Sequence, residues 1–259
     1  MKRLSFLLSM MVFSHVLSAQ QATFVNSGKI VFERRVNTYA VTERFVKEAN
    51  IIPASQVYAY MLSYRNDNPQ FWTDDFELYF DSTYTLYKPQ QADISARTAY
   101  IGAVSYNNKV LNNLTSHEAL ALKQAFDQTF FIKDTIRNIR WKLTEETREI
   151  AGFQCRRANA LLSDSIYIVA YYAEEIPARG GPESFNGLPG MILGVALPHE
   201  HITIFAKRVD RQPVTPESLK LPEQGRSVPV DNKQYKKSMM DILPRFRLTS
   251  SWVQIFMDI

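Results

Sequence analysis

Phe76-Glu-Leu-Tyr-Phe-Asp-Ser-Thr-Tyr-Thr-Leu-Tyr-Lys88 is the stretch that decides the fold class. Phe76, Leu78 and Phe80 alternate with Glu77, Tyr79 and Asp81. Asp81-Ser82-Thr83 reads as a turn, and Tyr84–Lys88 resumes as a second strand. A period of two puts successive side chains on opposite faces, so one face is apolar and the other wet. Two such runs joined by a short polar turn pair antiparallel. The same pattern recurs outward in both directions. In Lys29–Val36, Ile30, Phe32 and Val36 stand opposite Glu33 and Arg35; Ala99–Tyr106 followed by Asn107-Asn108-Lys109 is another strand and turn. Ile139, Trp141 and Leu143 alternate with Arg140, Lys142 and Thr144 and predict a half-buried strand. Ser165–Ala173 is apolar or aromatic on both parities, which predicts a strand covered on both faces. A central strand between a core and a packed helix is favoured there over one lining a ligand-holding surface.

Helix signals are fewer. Thr115-x-x-Glu118 can form a capping box, with Ala119, Leu122, Ala125 and Phe126 on one helical face behind it. Ala54–Tyr64 follows Pro53 and reads as a second helix. Lys233, Lys236 and Lys237 belong to a short helix whose charges form a solvated face. The expected class is mainly β (α+β): an antiparallel sheet with one or two short helices.

Composition narrows the function classes. Sixteen Phe and 13 Tyr in 259 residues exclude a disordered chain, and one cysteine excludes a disulfide scaffold or a cysteine-based zinc or iron–sulfur site. The formal charge of +4 is too balanced for a nucleic-acid binder. Met1-Lys2-Arg3, the apolar run Leu4–Leu17 and Ala19 describe a secretory signal cleaved after Ala19. The apolar run is short of the ~20 residues that a spanning helix needs. No cysteine lies near the cut, so the protein is expected to be exported, periplasmic or extracellular, and not a lipoprotein. No later run approaches transmembrane length. The expected organisation is a signal peptide over 1–19, a β-rich domain over 20–210, and a Pro-rich linker with a C-terminal tail over 211–259. Trp252, Ile255 and Phe256 make the end of that tail apolar enough to dock on the sheet or face a partner.

Five of the nine glycines (Gly180, Gly181, Gly187, Gly190 and Gly194) fall within fifteen residues, with Pro177, Pro182, Pro189 and Pro198 beside them. Glycine admits positive φ and close backbone approach while proline fixes φ, so this loop has a built geometry. It lacks the Gly-Lys-Ser/Thr ending of a phosphate-binding loop. Gly187-Leu-Pro-Gly-Met-Ile192, preceded by Gly181-Pro182, resembles the signature of the GLPGLI family of exported proteins from Gram-negative bacteria, with Met191 in place of leucine. Ile139-Arg-Trp-Lys-Leu-Thr, Ile150-Ala-Gly-Phe-Gln-Cys-Arg-Arg-Ala158 and Tyr171-Tyr-Ala-Glu-Glu-Ile-Pro177 stand in the family's order and spacing. The resemblance covers roughly 130–210. It implies a curved open half-barrel similar to periplasmic lipoprotein carriers, and it brings no assigned activity, catalytic residue or cofactor.

Each candidate site has a plainer structural reading. Cys155 shares parity with Phe153 and reads as a buried strand residue rather than a nucleophile. His199-Glu200-His201 would present two rings on one face of a strand, but Pro198 and the strand-like runs on either side make it a hairpin turn. Glu174, Glu175 and Asp164 read as a solvated strand end, since adjacent carboxylates on a strand point apart. The Gly180–Gly194 loop is either a rigid crossover that tucks Leu188, Met191, Ile192 and Leu193 under the sheet, or a recognition loop. The sequence therefore predicts no enzyme, no metal site and no cofactor. It predicts a non-catalytic envelope module that binds a hydrophobic ligand or an envelope protein partner. Gly181, Pro182, Gly187, Leu188, Pro189 and Gly190 would frame one rim of that site. The alternatives are an envelope hydrolase using acidic residues and an assembly partner acting through the C-terminal tail.

Overall fold

The computed structural model describes residues 24–50, 52–90, 107–125, 128–163, 165–221, 228–242 and 257–258. Within them a single sheet holds eleven strands. They are β1 (Gly28–Asn37), β2 (Phe71–Phe80), β3 (Tyr84–Pro89), β4 (Lys109–Asn113), β5 (Glu118–Ala125), β6 (Gln128–Thr135), β7 (Lys142–Ile150), β8 (Phe153–Leu162), β9 (Ile166–Ala173), β10 (Met191–Leu197) and β11 (Ile202–Asp210). Every neighbouring pair is antiparallel, in the order β6-β5-β4-β3-β2-β1-β11-β10-β9-β8-β7. The chain meanders outward from β1 to one edge, crosses to the other edge, and meanders back until β11 pairs with β1.

That crossing bends the sheet. Only Ile136–Trp141 join the two edge strands, and the path from Thr135 to Lys142 can reach at most about 25 Å. Ten flat inter-strand steps of ~4.8 Å would separate the edges by about 48 Å. The sheet must therefore curl until its edges approach, and because β6 and β7 do not pair it stays open rather than closing into a barrel.

The alternation in the deciding stretch becomes burial. Along β2, Asp74, Phe76, Leu78 and Phe80 are buried and the residues between them half-buried. Phe76 pairs with Phe32 across β1 and stacks on Tyr87 of β3, with ring centroids 5.0 Å apart. The turn before β3 is held by Asp81, whose Oδ1 accepts from the backbone N–H groups of Thr83 and Tyr84, both at 2.7 Å. β9 is an interior strand, third from the β7 edge, mostly buried and paired with β8 and β10.

Three α-helices lie among the described residues: α1 (Thr38–Glu48), α2 (Val57–Asp67) and α3 (Asn232–Ile242). α1 escapes the sequence reading, although Asn37 caps it through Oδ1 and Val41, Phe45 and Val46 form its buried face. α2, preceded by a turn of 3₁₀-helix over Ala54–Gln56, realises the helix predicted after Pro53, and α3 the lysine-bearing one.

Two expectations are corrected. Glu118–Ala125 is strand β5 rather than a helix, because it is paired on both sides, with β4 and with β6. The β4–β5 hairpin turn takes the place of the helix start: Asn113 Oδ1 accepts from the N–H groups of Thr115 and Ser116, and His117 has φ +57°. Ile139–Trp141 belong to the crossing between edges, and pairing begins only at Lys142; Ile139 is buried while Leu143 is 47% exposed. The predicted leader, the strand at Ala99–Tyr106, Phe126, Asp164, and Trp252, Ile255 and Phe256 of the tail lie outside the described residues. Beyond Asp210 the chain returns to the sheet. Val230 bridges Ile132 of β6, α3 packs on β6, and Met257 and Asp258 are buried. No helix among the described residues is long and apolar enough to cross a membrane.

Candidate functional site

The turns at one end of the curved sheet surround a cavity of about 480 Å³. Ser82 comes from the β2–β3 turn, Leu114 and His117 from the β4–β5 turn, and Ile136, Arg137 and Asn138 from the crossing. Asn26 precedes β1, and the glycine-rich loop supplies Pro177, Ala178, Arg179, Asn186 and Gly187. Alternate connections of an antiparallel meander collect at the same end, which is why residues so far apart in sequence meet here.

The loop is fixed by its own backbone. Gly187 N–H donates to Arg179 O at 3.2 Å, Gly190 N–H to Leu188 O at 2.8 Å, and Ile192 N–H to Gly180 O at 2.9 Å. Trp141 of the crossing donates its indole Nε1–H to Asn186 O at 2.8 Å. Gly180 runs against Thr85 of β3: a Cβ there would lie 2.6 Å from the Thr85 methyl. The glycines thus let the loop lie close to the sheet while Arg179 stays at the cavity mouth.

Of the six loop residues singled out from the sequence, Gly187 lines this cavity and is exposed. Gly181, Pro182, Leu188 and Gly190 are buried behind it, and Pro189 is exposed off the wall. Met191, Ile192 and Leu193 are fully buried, as the crossover reading expects. Sequence reasoning missed Arg137, Arg179 and His117. Each sits in or beside a turn, and nothing local says that the turns converge.

A buried ionic cluster pins the loop to the sheet. Glu183, fully buried and at φ +53°, accepts from Asn108 Nδ2 at 2.8 Å and lies 3.8 Å from the Arg34 guanidinium of β1. Burial raises the Glu183 carboxyl above its ordinary range, opposed by Arg34, Asn108 and Lys123. Burial also pushes Lys123 down to about 8, opposed in part by Glu183. Near the cavity, Arg137 is engaged by the C-terminal stretch: it donates to the Asp258 backbone carbonyl, and its Nη2 lies 3.7 Å from the Asp258 carboxylate. Asp258 also accepts from Ser163 and Lys236.

The other candidates are held in structural roles. Cys155 is fully buried, and burial pushes its thiol up to about 12. Pro198–Glu200 form the 3₁₀ turn between β10 and β11, with His201 left-handed at φ +56°. There Glu200 pairs with Arg44 of α1 at 2.6 Å, and His199 lies edge-on to Tyr167. Glu174 pairs at the surface with Arg156 at 3.0 Å. Among the described residues no three His, Cys, Asp or Glu side chains gather as a metal site.

Residues 160–194, from the end of β8 through β9 and the loop into β10, match the model of a family described as a protein of unknown function (Porph_ging). Two crystal forms of PNGF-II are similar in fold. Each gives a TM-score of 0.52, at 15% and 13% identity, with 83% of this chain covered. The match takes in 33% and 32% of the PNGF-II chain, so this chain spans about a third of its length. A looser likeness is to an uncharacterized conserved protein from Thermus thermophilus, with a TM-score of 0.41, 6% identity, and 86% of this chain and 99% of that chain covered. No curated protein matches the chain.

Proposed function

We propose that this chain is an exported, non-catalytic β-rich envelope protein of the GLPGLI type that binds a small ligand in the cavity at the mouth of its curved sheet. The observation that carries the reading is the cavity. Its volume of about 480 Å³ lies within the range of small-ligand sites, and a loop fixed by internal hydrogen bonds rims it. Leu114, Ile136, Pro177 and Ala178 give it an apolar wall, which suits the hydrophobic part of a ligand. Binding is preferred over acidic hydrolysis because the described wall offers arginine, histidine and amide groups rather than facing carboxylates. It is preferred over a partner-facing tail because Met257 and Asp258 are buried in the chain's own body. The leader Met1–Ala19 supports export, with the mature chain in the periplasm or outside the cell.

Native mass spectrometry of the protein recovered from its own cells tests both parts. The mature chain should begin at Gln20 and carry a small-molecule adduct that gentle activation removes. A full-length chain would refute export, and a protein that never carries or takes up a small molecule would refute the ligand site.

A further inference from the structure

The cavity wall is lopsided in charge. It carries Arg137, Arg179 and His117, and no aspartate or glutamate stands among its described residues. The two guanidinium groups differ in what already satisfies them. Arg137 is held by the Asp258 carbonyl and carboxylate, so its charge is answered from within the chain. No ion pair joins Arg179 to another described residue, and its backbone carbonyl accepts from the Gly187 N–H at the cavity wall. Arg179 lines the cavity and is exposed, so its guanidinium is open to an oxyanion that offers two oxygens to its parallel N–H groups. Asn26 and Asn138 add neutral donors on the same wall, while Leu114, Ile136, Pro177 and Ala178 form the apolar side.

We infer that the ligand of this cavity is an anionic amphiphile, an apolar body bearing one carboxylate, sulfonate or phosphate head, and that Arg179 binds the head. The inference rests on the ligand-binding reading of the cavity and deepens it. The glycines then acquire a purpose beyond packing: Gly180 and Gly181, tight against Thr85 and Ile192, fix the backbone next to Arg179 at the cavity wall.

Two dyes that fluoresce on leaving water separate the questions. Anilinonaphthalene sulfonate carries an anionic head on an apolar body, and N-phenylnaphthylamine is its uncharged counterpart. The folded mature protein should bind the sulfonate more tightly than the amine. Arg179→Ala should weaken the sulfonate about tenfold and leave the amine within about twofold; Arg179→Lys, which keeps the charge but loses the fork, should fall between. Arg179 is exposed, so these variants should fold, which circular dichroism checks. Asn138→Trp, a bulky exposed replacement on the wall, should weaken both dyes. If both dyes bind equally and Arg179→Ala changes neither, the anionic head is overturned while the cavity stands as a site. If neither dye binds, or Asn138→Trp leaves both unchanged, the ligand-binding reading itself falls.

Discussion

A methyl group at Gly190 would lie 2.2 Å from the Ala173 carbonyl oxygen, whereas at Gly187 its nearest neighbour would be Trp141 Nε1 at 3.9 Å. Both glycines have positive φ, +155° and +88°, but only Gly190 also meets backbone. Gly187→Ala should therefore cost about 1 kcal/mol, the strain of the left-handed region alone, and lower Tm by about 2–4 °C. Gly190→Ala must move β9 away from β10 and should abolish a cooperative thermal transition. Equal transitions for the two variants would contradict this contrast. Lys123 yields a pH prediction. Folding lowers its pKa from 10.5 to about 8, so above pH 8 the unfolded chain binds more protons and stability rises with pH. Cys155, raised from 9.0 to about 12, acts in the opposite sense above pH 9. Lys123→Met isolates the effect: its stability advantage over the wild type in urea unfolding should be largest below pH 8 and shrink steadily towards pH 10. An advantage independent of pH would contradict it. The residue scale was legible where parity decides, as for Cys155 beside Phe153. The cluster of Arg34, Asn108, Lys123 and Glu183 was not legible, because its members come from three strand regions and one loop with no common local pattern.

At the scale of elements, alternation marked β1, β3 and the second half of β2, but not β4, β5 or β6. β1 and β3 could be read almost residue by residue, and β2 from Phe76 onward. Glu118–Ala125 misled because Ala119, Leu122 and Ala125 satisfy the helical period as well as they sit in a strand, and Glu118 supplied an apparent cap. Two flanking ladders and the Glu118–Lys133 pair at 2.7 Å override that propensity. α1 was overlooked for the converse reason, since its β-branched and aromatic residues mask a 3–4 spacing. Its cap is the testable part. Asn37→Ala should cost about 1 kcal/mol by removing the acceptor for the Ala40 N–H, and Asn37→Asp should keep most of the stability in chemical denaturation. An Asp variant as unstable as the Ala variant would contradict the capping role. Ile139–Trp141 show a further limit: their alternation is real, yet it serves burial of Ile139 and the Trp141–Asn186 hydrogen bond rather than strand pairing.

At the scale of the whole molecule, a six-residue crossing between opposite edges forces the curvature, and the curvature brings the turns together at one end. That end carries the cavity, and the glycine-rich loop is both its wall and the link between the two halves of the sheet. The sequence marked the loop by its glycines and prolines but could not mark Arg137, Arg179 or His117, because their meeting is a property of strand order. Hydrogen exchange of the mature protein with and without saturating anilinonaphthalene sulfonate tests the central claim most directly. Occupancy of the cavity should slow exchange in residues 136–138 and 177–187, including the Ile136 and Gly187 amides bonded to His117 O and Arg179 O. Protection confined to other parts of the sheet, with those two segments unchanged, would contradict it.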